Sequence, residues 1–293
     1  MTNKKLHLVD TGKVERPKVT ADSLTGQRFF ARVQTDPAGV LLAPGSPRAA
    51  LVVHIGAPVM IGCDRVGRRH RGRSVHGDVD IIPVGEPSRW DLKEADTALI
   101  MGLSTSLLQS VAEESGLRGG AIEIANRFQV RDGRIEHLGW ALREELEAGY
   151  PNGRLYVESL AVALSGHVLQ HHSSLSGAPR ETKGGLSGYR LKQVLCYIEE
   201  NLGGDLSLEE IANFVGLSVS HCKAAFRQSM GRPLHQYVIE RRVDRARALL
   251  LKGTSSISQA AQECGFTHAS HLSFHMKRSL GFSPGLVLRQ SRR

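Results

Sequence analysis

Two stretches decide the fold: Leu206–Pro233, LSLEEIANFVGLSVSHCKAAFRQSMGRP, and Ser255–Pro284, SSISQAAQECGFTHASHLSFHMKRSLGFSP. They are two copies of one pattern. Ala212 and Gly216 correspond to Ala261 and Gly265, Cys222 and Phe226 to Leu272 and Met276, and Gly231 to Gly281. The second copy carries one extra residue just after its turn. Each feature has a physical reason in a helix-turn-helix. The small alanine lets two helices cross closely, and the glycine four residues later supplies a left-handed turn that other residues resist. Ser218 and Thr267 stand where the next helix needs an N-cap. In that helix Cys222, Ala225 and Phe226 face inward at i, i+3 and i+4, which leaves Ser220, Lys223, Ala224 and Arg227 outside. The second copy places Ala269, Ser270, Ser273, Phe274 and Lys277 on the equivalent face. An outward face whose N-terminal end can enter a major groove is a recognition arrangement. One such unit is a weak signal; two in tandem are strong.

The segment between the copies sets their spacing. Pro233 suits a first helical turn, Ile239, Val243, Ala246 and Leu250 recur at helical intervals, and another face carries Arg241, Arg245 and Arg247. A helix of roughly 18 residues spans about 27 Å. With the offsets of its neighbours it sets the two recognition helices about 34 Å apart, one turn of duplex.

Charge agrees. The chain has 293 residues, 38 Lys+Arg, 29 Asp+Glu and a net charge of +9. Residues 187–293 hold 15 basic and 8 acidic side chains, a net of +7, whereas residues 1–186 hold 23 and 21, a net of +2. A basic excess concentrated in about a third of the chain points to a polyanion partner for that third. The length suits two domains, and the balanced composition excludes a disordered or fibrous chain. No 18-residue apolar window exists, which excludes a transmembrane helix. The polar start, with Lys4 and Lys5 and no apolar run behind them, predicts a cytoplasmic protein without a secretory signal. Cys63, Cys196, Cys222 and Cys264 form no CxxC pair and are expected as buried, reduced thiols.

Upstream, residues 1–28 read as a polar arm. Candidate strands follow at Phe29–Val33, Gly39–Leu42, Ala49–Ile55, Val59–Ile61, Val79–Ile82 and Ala98–Leu103, with Gly and Pro between them, which predicts a small β-barrel or sandwich. Helices are expected from Ser104 or Ser106 to about Glu114, over Asp132–Ala148, and over Arg154–His171, the last two as an antiparallel pair. Ser173–Gly188 is rich in Ser and Gly and reads as a linker. The run Arg65–Arg73, RVGRRHRGR, has two readings, an anion-binding rim or a solvated hairpin. On the first reading Arg71, Arg73 and Trp90 are the ligand-binding candidates, although a buried Trp is more often core. His167, His171 and His172 gather at a helix end, where imidazole stabilises the dipole. His268, His271 and His275 flank the second recognition helix. No P-loop, nucleophile elbow or HExxH occurs, and Glu144, Glu145 and Glu147 read as a solvated helix face, so neither enzyme activity nor a cofactor is expected.

IANFVGLSVSHCKAAFRQSMG, RRVDRARALLLKG and ISQAAQECGFTHASHLSFHMKRSLGFSPG resemble the AraC/XylS family of bacterial transcription regulators over about residues 190–290. The resemblance implies seven helices with two helix-turn-helix units. It implies base contacts at Ser220, Lys223 and Ala224 and at Ala269, Ser270, His271 and Phe274. Ser218, Arg227, Thr267 and Lys277 complete the DNA-binding set. Ala224 and Phe274 stand where the family often has a polar or Arg side chain; they suit a thymine methyl and cannot hydrogen-bond guanine. GDVDIIPVG, Gly77–Gly85, resembles the second conserved stretch of cupin barrels, which this family often carries as a sensor and dimerisation domain. Metal cupins place a His three positions after that Gly, where this chain has Ser88, and no His-x-His pair joins His54, His70 or His76; no metal site is expected.

The expected fold class is therefore α+β: a cupin-like ligand-binding and dimerisation domain over 1–172, a linker over 173–188 and an AraC-type DNA-binding domain over 189–293. Expected partners are double-stranded promoter DNA, RNA polymerase, a small-molecule effector and a second copy, with no membrane. Activation is favoured over repression. The alternatives are a cupin metalloenzyme with a DNA-binding tail and a non-specific architectural binder.

Overall fold

The structure is a computed structural model that describes residues 28–117, 121–175, 185–253 and 255–290. Almost all of the expected N-terminal arm, and residues 176–184 of the expected linker, lie outside the described residues.

The first half is β-rich. Its strands are β1 Phe29–Asp36, β2 Gly39–Ala43, β3 Arg48–His54, β4 Val59–Arg65, β5 Arg68–Ser74, β6 Asp78–Ile82, β7 Ser88–Leu92, β8 Asp96–Ser104 and β9 Arg127–Arg131. They form two sheets, β1-β8-β3-β6-β9 and β2-β7-β4-β5, with antiparallel pairings throughout. Alternation along β3 shows the layering. Ala49, Leu51 and Val53 belong to a core shared with helices α1 Thr105–Glu114, α2 Gly133–Ala148 and α3 Gly153–His171. Ala50 and Val52 face the other way and meet Ile61, Cys63, Trp90 and Leu92 of the second sheet. The five-stranded sheet is thus covered on both faces, by helices and by the four-stranded sheet.

The strands at Phe29, Gly39, Ala49, Val59, Val79 and Ala98 form where the pattern predicts them, and Ser104 caps α1 by accepting the Leu107 N–H at 3.1 Å. The strands β7 and β9 go beyond the pattern, while β5 is the second strand of the hairpin reading of the arginine run. The arginine run is a hairpin, with Val66 and Gly67 at the turn with φ of 52° and 65°. Arg65 is the exception, 3% exposed: its guanidinium donates to Asp80 Oδ1 at 2.7 Å and to Asn126 Oδ1 at 2.6 Å, over the Phe128 ring at 4.0 Å.

The ligand-binding candidates are not brought together. Gly62 lies opposite Arg71 and Asp91, while Cys63 lies opposite His70 and Trp90. Arg71 and Trp90 therefore stand on opposite faces of one sheet. Trp90 is buried with its indole N–H donating to Ser88 Oγ at 2.9 Å, Arg73 pairs with Glu200, and Arg71 is exposed. Ser173, which composition assigns to the linker, is buried and bridges to Ile124.

The second half is helical: α4 Gly188–Asn201, α5 Leu208–Phe214, α6 Val219–Met230, α7 Leu234–Leu251, α8 Ile257–Glu263, α9 Ala269–Leu280 and α10 Pro284–Gln290. No helix among the described residues is long and apolar enough to cross a membrane. One core gathers α4 to α6 with the start of α7; a second gathers the rest of α7 with α8 to α10.

The halves meet through buried charge. Val75, between β5 and β6, joins the core of the first helical unit. Lys192 pairs with Asp78, and Arg232 with Glu136, which also accepts from Arg131 at 3.0 Å. Arg241 is 7% exposed; it donates to Glu199 at 2.6 Å, to Asp244 at 2.9 Å and to His76 Nε2 at 2.9 Å. Arg247 pairs with Glu147. Arg241 and Arg247 thus face the first half, not solvent, which corrects the expectation of an arginine-bearing outer face on α7; Arg245 is exposed. Because an arginine only donates, His76 must accept at Nε2, which puts its proton on Nδ1, 3.2 Å from the Ile55 carbonyl. Burial first, then the Arg241, Arg143 and His54 charges, hold this imidazole well below its ordinary range.

Two outcomes are expected. Arg65→Met leaves Asp80 buried without its partner and costs about 3–5 kcal/mol in urea unfolding, part of which returns in Arg65→Met with Asp80→Asn. A neutral buried His76 contributes stability that is complete above about pH 6.5 and declines as pH falls below it, because the unfolded chain takes up the proton first. The unfolding midpoint of His76→Gln therefore varies less between pH 7.5 and 5 than that of the parent; parallel curves contradict the assignment.

Candidate nucleic-acid interface

Two helical units, α5 with α6 and α8 with α9, are built alike to the level of single hydrogen bonds. Ser207 caps α5 in a capping box with Glu210, and Ser256 caps α8 in the same box with Gln259. Their sequence signatures, S-x-x-E at Ser207–Glu210 and S-x-x-Q at Ser256–Gln259, stand at matching places in the two copies. At the end of the first helix Gly216 has φ 66° and Leu217 N–H donates to Ala212 O at 2.9 Å; in the second copy Gly265 has φ 73° and Phe266 N–H donates to Ala261 O, also at 2.9 Å. The left-handed glycine closes the same turn twice.

The recognition helices then diverge at their first residue. Ser218 caps α6, its hydroxyl accepting the His221 N–H at 3.3 Å. Thr267 does not cap α9: the cap residue is His268, whose side chain makes no capping hydrogen bond. The extra residue of the second copy moves the cap along by one.

Beyond the caps the inward set is as spaced. Cys222, Ala225 and Phe226 are buried in α6, and Leu272 and Met276 in α9. Ser220, Lys223, Ala224 and Arg227 are exposed on α6, as are Ser270, His271, Phe274 and Lys277 on α9, with Ala269 half-buried and Thr267 exposed before it. Phe274, 57% exposed, is a large aromatic held in water. Ser273 turns back, its hydroxyl donating to Ala269 O at 2.8 Å. His271 and His275 face each other, Nε2 to Nε2 at 3.0 Å, and the Phe266 ring meets His271 edge-on at 5.5 Å. Burial and the neighbouring His271, His235 and Arg278 lower the His275 pKa. The side chains of Lys223, Arg227 and Lys277 form no ion pair among the described residues. All three side chains are exposed, on the outward faces of α6 and α9.

Arg242 fixes the two units to each other. Its guanidinium donates to Leu202 O at 3.0 Å and Gly204 O at 2.8 Å beside the first unit and to Gly265 O at 2.7 Å in the turn of the second. Nothing in the sequence pattern marks this residue apart from its arginine neighbours.

Comparison with known proteins places this region. The family described as "Helix-turn-helix domain" matches residues 189–290. "Probable transcriptional regulator LumQ" of Photobacterium leiognathi is 38% identical over 97 residues, 32% of this chain and 39% of that protein. A protein of Streptomyces antibioticus described as AraC-like is 28% identical over 156 residues, 51% of each chain. A solved transcriptional regulator of Chromobacterium violaceum, with an AraC-type DNA-binding domain, is 30% identical, covers 36% of this chain and 94% of its own, and has a TM-score of 0.34. The chain spans about half or less of the length of the curated relatives it matches. Residues 189–290 are a helix-turn-helix domain of the AraC type.

Proposed function

We propose that the chain is a sequence-specific regulator of transcription. In this reading α6 and α9 enter successive major-groove segments on one face of a promoter. The observation that carries the reading is the duplicated turn geometry with two unpartnered outward faces. The 18-residue α7 is about 27 Å long, which with the offsets of its neighbours is in keeping with a one-turn separation. Lys223, Arg227 and Lys277 supply phosphate contacts; Ser218, Ser220, Ala224, Thr267, Ala269, Ser270, His271 and Phe274 line the surfaces that meet base edges or adjacent phosphates. The β-rich half, 1–172 by the sequence reading, serves as a cupin-like sensor and dimerisation domain for a small-molecule effector. As an activator the bound dimer recruits RNA polymerase. The buried charge between the halves supports effector control. A ligand that binds the docked and undocked arrangements unequally shifts the reading head from one to the other.

A duplex recovered by selection from random sequence tests this in fluorescence anisotropy. Lys223→Ala and Arg227→Ala each weaken binding, and the slope of log affinity against log salt falls by about 0.9 for each phosphate contact removed. Affinity equal at low and high salt contradicts the electrostatic part. Ser270→Ala shifts the selected sequence rather than only the affinity. An unchanged preference removes Ser270 from the readout, and binding that does not discriminate the selected duplex from bulk DNA favours the architectural reading.

A further inference from the structure

Asp132, His167 and His172 come together where α2 begins and α3 ends, separated in sequence by 35 and 40 residues. The carboxylate divides its work. Oδ1 caps α2, accepting the N–H groups of Arg134 at 3.0 Å and Ile135 at 3.1 Å. Oδ2 meets Nε2 of His167 at 2.7 Å and Nε2 of His172 at 2.8 Å. The ligand atoms all lie within 4.8 Å of one another, and the side chains of Asp132, His167 and His172 are 13%, 8% and 13% exposed.

We propose that these three side chains bind a divalent first-row transition ion of the zinc class. Two imidazole nitrogens and one carboxylate oxygen aimed at one point are a donor set such ions take. With metal bonds of about 2.0–2.1 Å, tetrahedral donors stand about 3.3 Å apart. The two Nε2–Oδ2 separations need to open by only about half an ångström to reach that spacing. The site also sits at the carbonyl end of α3, with His172 as its C-cap, where the helix dipole favours a cation. A dipole role alone accounts for His171, whose Nδ1 meets His167 O at 3.0 Å and whose ring stacks on His167 at 4.3 Å. It does not account for two Nε2 atoms converging on one oxygen. Each of those rings has its Nδ1 buried without a partner among the described residues, so Oδ2 is the group that orients both. The ion ties the start of α2 to the end of α3, one residue from Arg131, which meets Glu136 and through it Arg232 of the DNA-binding domain.

The test uses the full chain, stripped with chelator and titrated with Co²⁺. One equivalent per chain is expected, with visible ligand-field bands, no thiolate charge-transfer band, and displacement by Zn²⁺. Asp132→Asn keeps a good helix cap and loses the anionic ligand; His172→Gln changes only the end of α3. Both lose affinity beyond the roughly 100-fold that second-shell changes cause, and both lose the rise in melting temperature that Zn²⁺ gives the parent. His171→Gln binds as the parent does. No stoichiometric band in the parent, parental binding by Asp132→Asn and His172→Gln, or equal loss in His171→Gln overturns the site.

Discussion

One guanidinium joins the two helical units of the second half to each other. Arg242, on the helix that joins them, holds carbonyls of both at once: Leu202 and Gly204 on one side, Gly265 on the other. Hydrogen bonds from a charged donor to backbone carbonyls are directional and among the stronger ones in a protein. They fix the rotation of the second unit about α7, which its length alone leaves open. Gly265 answers to the same constraint. Its φ is left-handed, and a Cβ there would lie 2.7 Å from the Leu202 oxygen and 2.8 Å from Arg242 Cζ. Gly216 has the left-handed φ but open space around it. The two turns look equivalent in the sequence, yet the second is also the seat of an inter-unit joint.

The same helix faces two ways. Arg241 and Arg247 on α7, with Arg232 just before it, reach His76, Glu147 and Glu136 of the β-rich half, while the outward faces of α6 and α9 take no part in these contacts. Docking between the halves therefore leaves the exposed cations of α6 and α9 uncovered. Net charge, split between the first two thirds of the chain and the last third, conceals this division of labour: part of the C-terminal basic excess is spent inside the protein, against Glu136, Glu147, Glu199 and Asp78.

Periodicity made much of this legible. Apolar spacing located α1 to α3 and the inward residues of α6 and α9, and the duplicated Ala–Gly pairs located both turns. The misses share a physical cause, which is that local pattern does not report tertiary partners. The strands β7 and β9 carry charge or few apolar residues, so their membership of a sheet comes from pairing, not from their own alternation. Arg241 reads as a surface residue until Glu199 and His76 stand beside it. Arg71 and Trp90 look like one site until register puts them on opposite faces. Thr267 reads as a cap until the extra residue shifts the role to His268. His167 and His172 are legible as neighbours at one helix end, but Asp132 joins them only through the antiparallel packing of α2 and α3.

Hydroxyl-radical footprinting on a selected duplex tests the central claim most directly. A rigid tandem reading head protects two patches on one face of the duplex, centred about 10–10.5 base pairs apart. A single patch, or uniform protection without that spacing, contradicts the account.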